Sequence, residues 1–422
     1  MNSNDKILEL FFDPSRWQQA IAKGVVKGIN KAALSRLTTP EARAAMYQRI
    51  RDGKYKIIPP HTALIPKDGG DFRTVYVNEP ADRVLLSIAN DLLFELMPGM
   101  VHPRCRSYQK GTGCGRVVQE VSRRICSAQG AVIGWKSDLS KYFDSVPIRY
   151  IDEAFDKVEA KWGKSRLIDV IRDYYHTDLY FTPEGELSSK YQSLKQGCAV
   201  AAWLADAVLY HIDERLSNLS GYYVRYSDDT LFIGEDYEEA MRIMQDELQQ
   251  MHMTLNPRKV EHLDSSHWFK FLGYSIKGSA ISLSSTRIKT FQKEIEKRTC
   301  RRPGATLPTS VSAVNRYLYR GIGGHSWATQ VLPVINVEED IHTLNEFVLD
   351  CLRATATGKR RIGGLGYVST QAVGCISRGR GRNVTANRAK TPLRIHGYQS
   401  LALMRNALRT SRPAYDTLVA NL

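Results

Sequence analysis

The 422-residue sequence predicts an α+β fold, and three observations carry that expectation. Residues 222–233, YYVRYSDDTLFI, form two short apolar strands around a tight turn. Tyr222, Val224 and Tyr226 alternate before the turn, and Leu231 and Ile233 follow it, as a β-hairpin requires. Ala131, Val132 and Ile133 begin a second, buried-looking strand with Asp138 near its C-terminal end. Helical patterns are segregated from these strands, in residues 1–55 and 284–350.

Along the chain, Pro59-Pro60 closes the first helical stretch. Residues 63–93 contain a Gly-Gly turn that predicts a hairpin, and Arg83 starts a helix. Gln196-Gly197 opens an apolar helix expected from about Val200 to Leu216. A glycine there permits close approach of the backbone to a flat partner, although a buried core helix with a leading glycine is the plain alternative. In the later helical stretch, KTFQKEIEKR and DIHTLNEFVLDCL are amphipathic, and CRRPGATLPTS (300–310) reads as a loop between helices.

A chain of this length exceeds one usual core, so several subdomains are expected. Hydrophobic content of 43% suffices for packing, and no apolar run is long enough to span a bilayer. The N-terminus lacks a secretory pattern, and the seven cysteines form no CxxC pair, which points to a reducing cytoplasm without a disulfide framework or zinc site. The net charge of +15 is unevenly placed. From Cys351 to Leu422 there are thirteen Lys and Arg against one acid, Asp416. GKRRIGG (358–364) and SRGRGRNVTANRAK (377–390) mix cations with glycine, as segments that follow a nucleic-acid backbone do. Lys359, Arg360, Arg361, Arg378, Arg380 and Arg382 are the candidate nucleic-acid contacts there. YQSLALMRNAL (398–408) implies an ordered helix beyond them.

Asp228 and Asp229 fall at the expected exposed tip of the hairpin, a poor place for packing and a suitable seat for divalent metal. A solvated turn is the plain alternative, because Ser-Asp-Asp is ordinary turn chemistry. Asp138 sits where open sheets carry catalytic groups, although Asp138 or Asp144 could equally cap a helix.

The order of the pieces is more specific than any one of them. A strand ending in Asp138, the Gln196-Gly197 loop, the Tyr-Ser-Asp-Asp hairpin, LNPRK (255–259) and FKFLGY (269–274) resemble, in order and spacing, the palm of a reverse transcriptase. The resemblance covers residues from about 60 to 275 and is nearest the bacterial branch of group II intron, retron and defence-associated enzymes. A stand-alone defence-associated enzyme, of the type 2 kind, is the nearest likeness. It implies a right-hand polymerase fold: an N-terminal helical segment (1–58), fingers (59–130 with part of 150–192), a palm with an antiparallel sheet (131–279), a helical thumb (280–350) and a basic C-terminal region (351–422).

The same resemblance implies RNA-directed DNA synthesis from dNTPs with two Mg²⁺ ions, for which Mn²⁺ can substitute. Asp138, Asp228, Asp229 and the carbonyl of Leu139 would hold metal, and Lys259 would stand near the leaving pyrophosphate. Lys67, Arg73, Phe143, Gln196 and Gly197 would contact the dNTP. Tyr226, Phe271, Leu272, Gly273, Tyr274 and Lys110 would contact primer or template. A ring at Phe143 would clash with a ribose 2′-hydroxyl, but Asp144 leaves the sugar open, since RNA polymerases also place an Asp there. The family further implies a structured non-coding RNA as template, a cDNA product and a role in antiphage defence. Other polymerase activities on the same palm, template-independent or protein-primed, and a retired RNA-binding protein remain the alternatives.

Overall fold

The computed structural model describes residues 5–23, 29–66, 72–109, 111–128, 130–190, 192–321, 325–358, 365–366, 377–378, 395 and 397–422. The chain divides into two compact units, residues 1–110 with 134–261 and residues 111–133 with 262–422. Lys67, Lys110, Lys359, Arg360, Arg361, Arg380 and Arg382 lie outside the described residues. Of the remaining basic candidate, Arg378, the backbone pairs with Leu365.

In the first unit, four helices (Lys6–Phe11, Pro14–Lys23, Lys31–Leu37 and Pro40–Arg51) lead into the sheet strands. Their starts are written in the sequence: Asp5, Asn30 and Thr39 each accept a backbone N–H three residues on, and Pro40 occupies the first helical position. Strands β1 (His61–Pro66) and β2 (Phe72–Val77) pair antiparallel, from His61 opposite Val77 to Pro66 opposite Phe72. The following helix starts at Pro80, three residues before the expected Arg83, because proline is pre-set for the first turn.

Strand β3 (Ile133–Asp138) begins at Ile133 rather than Ala131 and ends on Asp138. Helices Ile148–Trp162 and Arg166–His176 follow, then the short strands β4 (Leu179–Phe181) and β5 (Leu187–Ser189). β4 runs parallel to β1, with His61 opposite Phe181, and β5 pairs antiparallel with β4. β6 (Tyr222–Tyr226) and β7 (Asp229–Ile233) make the expected hairpin, with Tyr226 opposite Asp229. β7 also pairs with β3, with Asp138 opposite Asp229 and Gly134 opposite Ile233. A side chain at Gly134 would lie 2.0 Å from the Phe232 carbonyl, so only glycine allows this approach.

The apolar helix expected over 200–216 is instead two helices, Val200–Ala207 and Tyr210–Ser217. The physical reason is a side chain inserted into its hydrogen-bond ladder. A continuous helix would give the carbonyls of Ala205 and Asp206 to the N–H groups of Leu209 and Tyr210. Those carbonyls accept instead from the Arg225 guanidinium, at 3.3 and 3.1 Å. Trp203, on the first half, is fully buried and stacks on Phe155 at 6.2 Å. Trp203→Ala is expected to cost about 3–5 kcal/mol, read from urea unfolding followed by circular dichroism.

The second unit receives the chain through β8 (Glu261–Asp264). β9 (Phe269–Phe271), β10 (Tyr274–Lys277) and β11 (Ala280–Leu283) form an antiparallel sheet. Between β9 and β10, Leu272 (φ 48°) and Gly273 (φ 79°) both have positive φ, the mark of the turn that follows the twist of a two-residue hairpin. Helices Ser285–Arg298, Leu307–Asn315, Trp327–Val331 and Glu338–Thr357 follow, with Leu401–Thr410 and Arg412–Ala420 at the end. The expected loop closes at Leu307, where Thr306 and Thr309 form a capping box. Ser400 caps the expected late helix by accepting from Leu403. Among the described residues, no helix is long and apolar enough to cross a membrane.

Candidate active site

Two strands deliver three carboxylates to one place. Asp138 ends β3, Asp229 begins β7 directly opposite it, and Asp228 occupies the turn before Asp229. One oxygen of each lies within 4.8 Å of the others. The backbone locks this end of the sheet. Leu139 N–H donates to the Asp228 carbonyl at 3.1 Å, and Asn256 N–H donates to the Asp138 carbonyl at 2.8 Å. Leu139, buried beside Asp138, also bridges to Leu255.

Ser227-Asp228 is not the exposed tip expected from the sequence. Ser227 is buried and both acids are half-buried, because the segment 104–108 runs alongside β6 and covers the turn. Cys105 bridges Arg225 in parallel, and the Tyr108 and Ser227 hydroxyls share a hydrogen bond of 3.1 Å.

Crowded, half-buried carboxylates resist ionisation. Burial raises Asp229 to about 7, with the charges of Asp228 and Asp138 adding to the effect and Lys259 and Lys136 opposing it. Asp228 is raised by burial first and by Asp138 second. Lys259 Nζ donates to Asp138 Oδ1 at 2.8 Å and supplies the nearest positive charge to that carboxylate. Three hard oxygen ligands in one cluster suit Mg²⁺ or Mn²⁺, whose binding would offset the repulsion.

Gln196 and Gly197 sit against β2. The Gln196 carbonyl accepts from Tyr76 N–H at 2.7 Å, and Gly197 has φ +106°. A Cβ on Gly197 would lie 2.6 Å from the Tyr76 carbonyl oxygen. Ser193, in the same loop, donates to the carbonyls of Phe143 and Val146, which ties the loop to the short helix Tyr142–Ser145. Phe143 is partly buried against the core. Asp144 is held by Lys190 at 2.9 Å, and the Lys190 ammonium lies 5.8 Å from the centre of the Tyr76 ring. Arg73 is exposed on β2 opposite Ile65.

A family model described as reverse transcriptase (RNA-dependent DNA polymerase) matches residues 65–276, half of the chain. The chain belongs to the reverse transcriptase family. It is similar to a COX1/OXI3 intron 1 protein of Saccharomyces cerevisiae, 22% identical over 386 residues, covering 77% of this chain and 46% of that protein. A 91 kDa protein in the cob intron of Schizosaccharomyces pombe is 22% identical over 172 residues, 41% of this chain and 20% of its own length. The chain thus spans less than half the length of either relative. Among solved structures it is similar to apo telomerase from Candida tropicalis (TM-score 0.43, 11% identity, 71% of this chain and 64% of that one). Telomerase from Candida albicans with a fragment of telomeric RNA gives a TM-score of 0.41 at 11% identity, covering 75% of this chain and 63% of that one.

In this reverse transcriptase the carboxylates, Lys259, Tyr226, Arg73, Phe143, Gln196 and Gly197 all belong to the first unit, whereas Phe271, Leu272, Gly273 and Tyr274 belong to the second. Tyr226 closes β6 opposite Asp229. Phe271 and Tyr274 are buried, the Tyr274 hydroxyl donates to the Gln330 carbonyl at 3.2 Å, and the Arg287 guanidinium lies 4.5 Å from the centre of its ring.

Several residues of this reverse transcriptase were not singled out from the sequence. Arg225 is fully buried and forms a bidentate pair with Asp213, at 2.7 and 2.6 Å. Asp206 accepts from Ser107 at 2.6 Å, and burial pushes its carboxyl up to about 6 against the opposing Arg225 charge. Lys195 is buried beside Gln196, donates to the carbonyls of Tyr174 and Thr177 at the end of helix Arg166–His176, and is pushed down to about 8 by burial. The available signal was a charged residue inside each apolar run: Arg225 in YYVRY, and Asp206 and Asp213 seven apart in the helical segment.

Proposed function

We propose that this chain is an RNA-directed DNA polymerase that copies an RNA template into cDNA from dNTPs. The observation that carries the reading is the meeting of Asp138, Asp228 and Asp229 at the paired ends of two strands. These carboxylates would hold Mg²⁺, with Mn²⁺ as a substitute and the Leu139 carbonyl as a further ligand. The metal would supply activation of the attacking 3′-hydroxyl and charge stabilisation at phosphorus. Gln196, Gly197 and Arg73 would position the incoming nucleotide, Phe143 would exclude the ribose 2′-hydroxyl, and Lys259 would serve the leaving pyrophosphate. The ion pair between Lys190 and Asp144 favours this sugar assignment, since it engages the carboxylate that could otherwise hold a 2′-hydroxyl.

The template in this reading is a structured non-coding RNA, and the biological role is antiphage defence in the cytoplasm. A second reading, copying of an intron RNA, is favoured by the two curated relatives, both named for introns. Primer extension on an RNA template tests the activity. Incorporation of dNTPs in preference to NTPs is expected, and incorporation of neither, with Mg²⁺ or Mn²⁺, would remove the reading. Phe143→Val is expected to narrow the dNTP preference roughly tenfold or more. Sequencing the RNA and DNA that co-purify with the protein separates an intron template from a dedicated non-coding RNA.

A further inference from the structure

The turn that carries Asp228 is strained, and the strain falls on its neighbour. Ser227 has φ +59°, in the left-handed region that favours glycine, and a side chain there persists only where the surroundings fix it. Its carbonyl and its hydroxyl are both held. Its carbonyl accepts from Arg225 Nη1 at 3.1 Å, and its hydroxyl bonds the Tyr108 hydroxyl at 3.1 Å. Tyr108 has itself a positive φ of 53°.

Arg225 is not free to follow a moving turn. Its five N–H groups reach Asp213 Oδ1, Asp213 Oδ2 and the carbonyls of Asp206, Ala205 and Ser227. Four of the five anchor it to the broken helix of residues 200–217, and its planar fork leaves the fifth with one direction. Asp213 is fixed in turn by the Tyr223 hydroxyl at 2.9 Å.

We propose that Arg225 and Tyr108 form a two-point clamp on Ser227 that holds the Asp228 carboxylate in the position required for divalent-metal binding. Both are positioning residues, since they act through Ser227 and not on metal or substrate. The inference rests on the metal role proposed above for Asp138, Asp228 and Asp229. A rigid clamp keeps the half-buried carboxylates from separating to relieve their repulsion before the cation arrives.

The test is Mn²⁺ binding to the full chain, without nucleotide, by electron paramagnetic resonance, alongside the Mg²⁺ midpoint of primer extension. Tyr108→Phe removes the hydroxyl contact to Ser227, and Ser227→Ala removes that contact together with the Ser227 side chain's hydrogen bond to the Asp228 carboxylate; each is expected to weaken Mn²⁺ binding about 3- to 10-fold. The Mg²⁺ midpoint is expected to rise by the same factor, with kcat at saturating metal within about twofold of wild type. A merely structural role would lower kcat without moving the metal midpoint. Arg225→Lys keeps the charge, loses the fork, and is expected to weaken binding at least about tenfold. Where that variant fails to fold, the two hydroxyl variants decide. Folded Tyr108→Phe and Ser227→Ala proteins with unchanged Mn²⁺ binding would overturn the clamp. Wild-type protein that binds no Mn²⁺ would overturn the metal reading itself, and the clamp's purpose with it.

Discussion

Asp228→Ala combined with Asp229→Ala is expected to lower primer extension at least about a thousandfold, because several kcal/mol of transition-state charge stabilisation goes with the metal. RNA binding, measured by filter retention, is expected to stay within about threefold of wild type. The same site makes an opposite prediction for stability. The Asp229 carboxyl is raised from 3.8 to about 7 by burial and by its two acidic neighbours. Between those values the metal-free folded state holds a proton that the unfolded chain has released, so stability falls as pH rises through that window and is flat above it. Asp229→Asn removes the carboxylate and is expected to stabilise the metal-free protein by roughly 1–3 kcal/mol near pH 8. The gain is expected to vanish near pH 4. Urea denaturation in EDTA at several pH values reads this out, and parallel curves for the two proteins would show that the carboxylates are not in conflict.

The second large effect is expected at Gly197. Alanine there meets two obstacles, a φ of +106° that L-residues rarely adopt and a Cβ 2.6 Å from the Tyr76 carbonyl oxygen. The obstructing atom is backbone, and it belongs to the residue whose N–H bonds the Gln196 carbonyl. Relief therefore requires the 196–197 peptide to turn or β2 to retreat, and either breaks that bond. The KM for dNTP is expected to rise at least about tenfold with a fall in kcat, since misplacement by a fraction of an ångström is costly in a positioned reaction. Gly163→Ala is the control. Gly163 has φ +90° at the end of helix Ile148–Trp162, and a Cβ there would meet nothing within 4 Å. Its ψ of 166° puts it in a backbone region open essentially to glycine, so the substitution is expected to cost about 1–3 kcal/mol of stability and to leave dNTP kinetics unchanged. Equal kinetics for the two variants would remove Gly197 from the nucleotide side of the site.

Much of the site was legible because its signals are local. Asp138 ends a strand, and the Ser227-Asp228 turn interrupts two apolar runs. What was illegible depends on residues distant in sequence. Nothing local says that Tyr108 reaches Ser227, 119 residues on, or that this cover leaves the turn buried. The break near Val208 was hidden for a related reason. Residues 200–216 have uninterrupted helical character, and the group that opens the helix is Arg225, beyond its end. Nothing local marks Lys195, ahead of Gln196, as the residue that bonds two carbonyls at the end of a helix begun about thirty residues earlier.

The flank of β6 has a consequence for association. An outer strand with unmatched amides and carbonyls invites another chain to extend the sheet. Near the functional end of β6 that invitation is withdrawn, since Arg225 N–H donates to the Arg104 carbonyl and Arg106 N–H donates to the Arg225 carbonyl. Strand-to-strand recruitment is closed at that point, so any macromolecule that docks there must be recognised through side chains and shape.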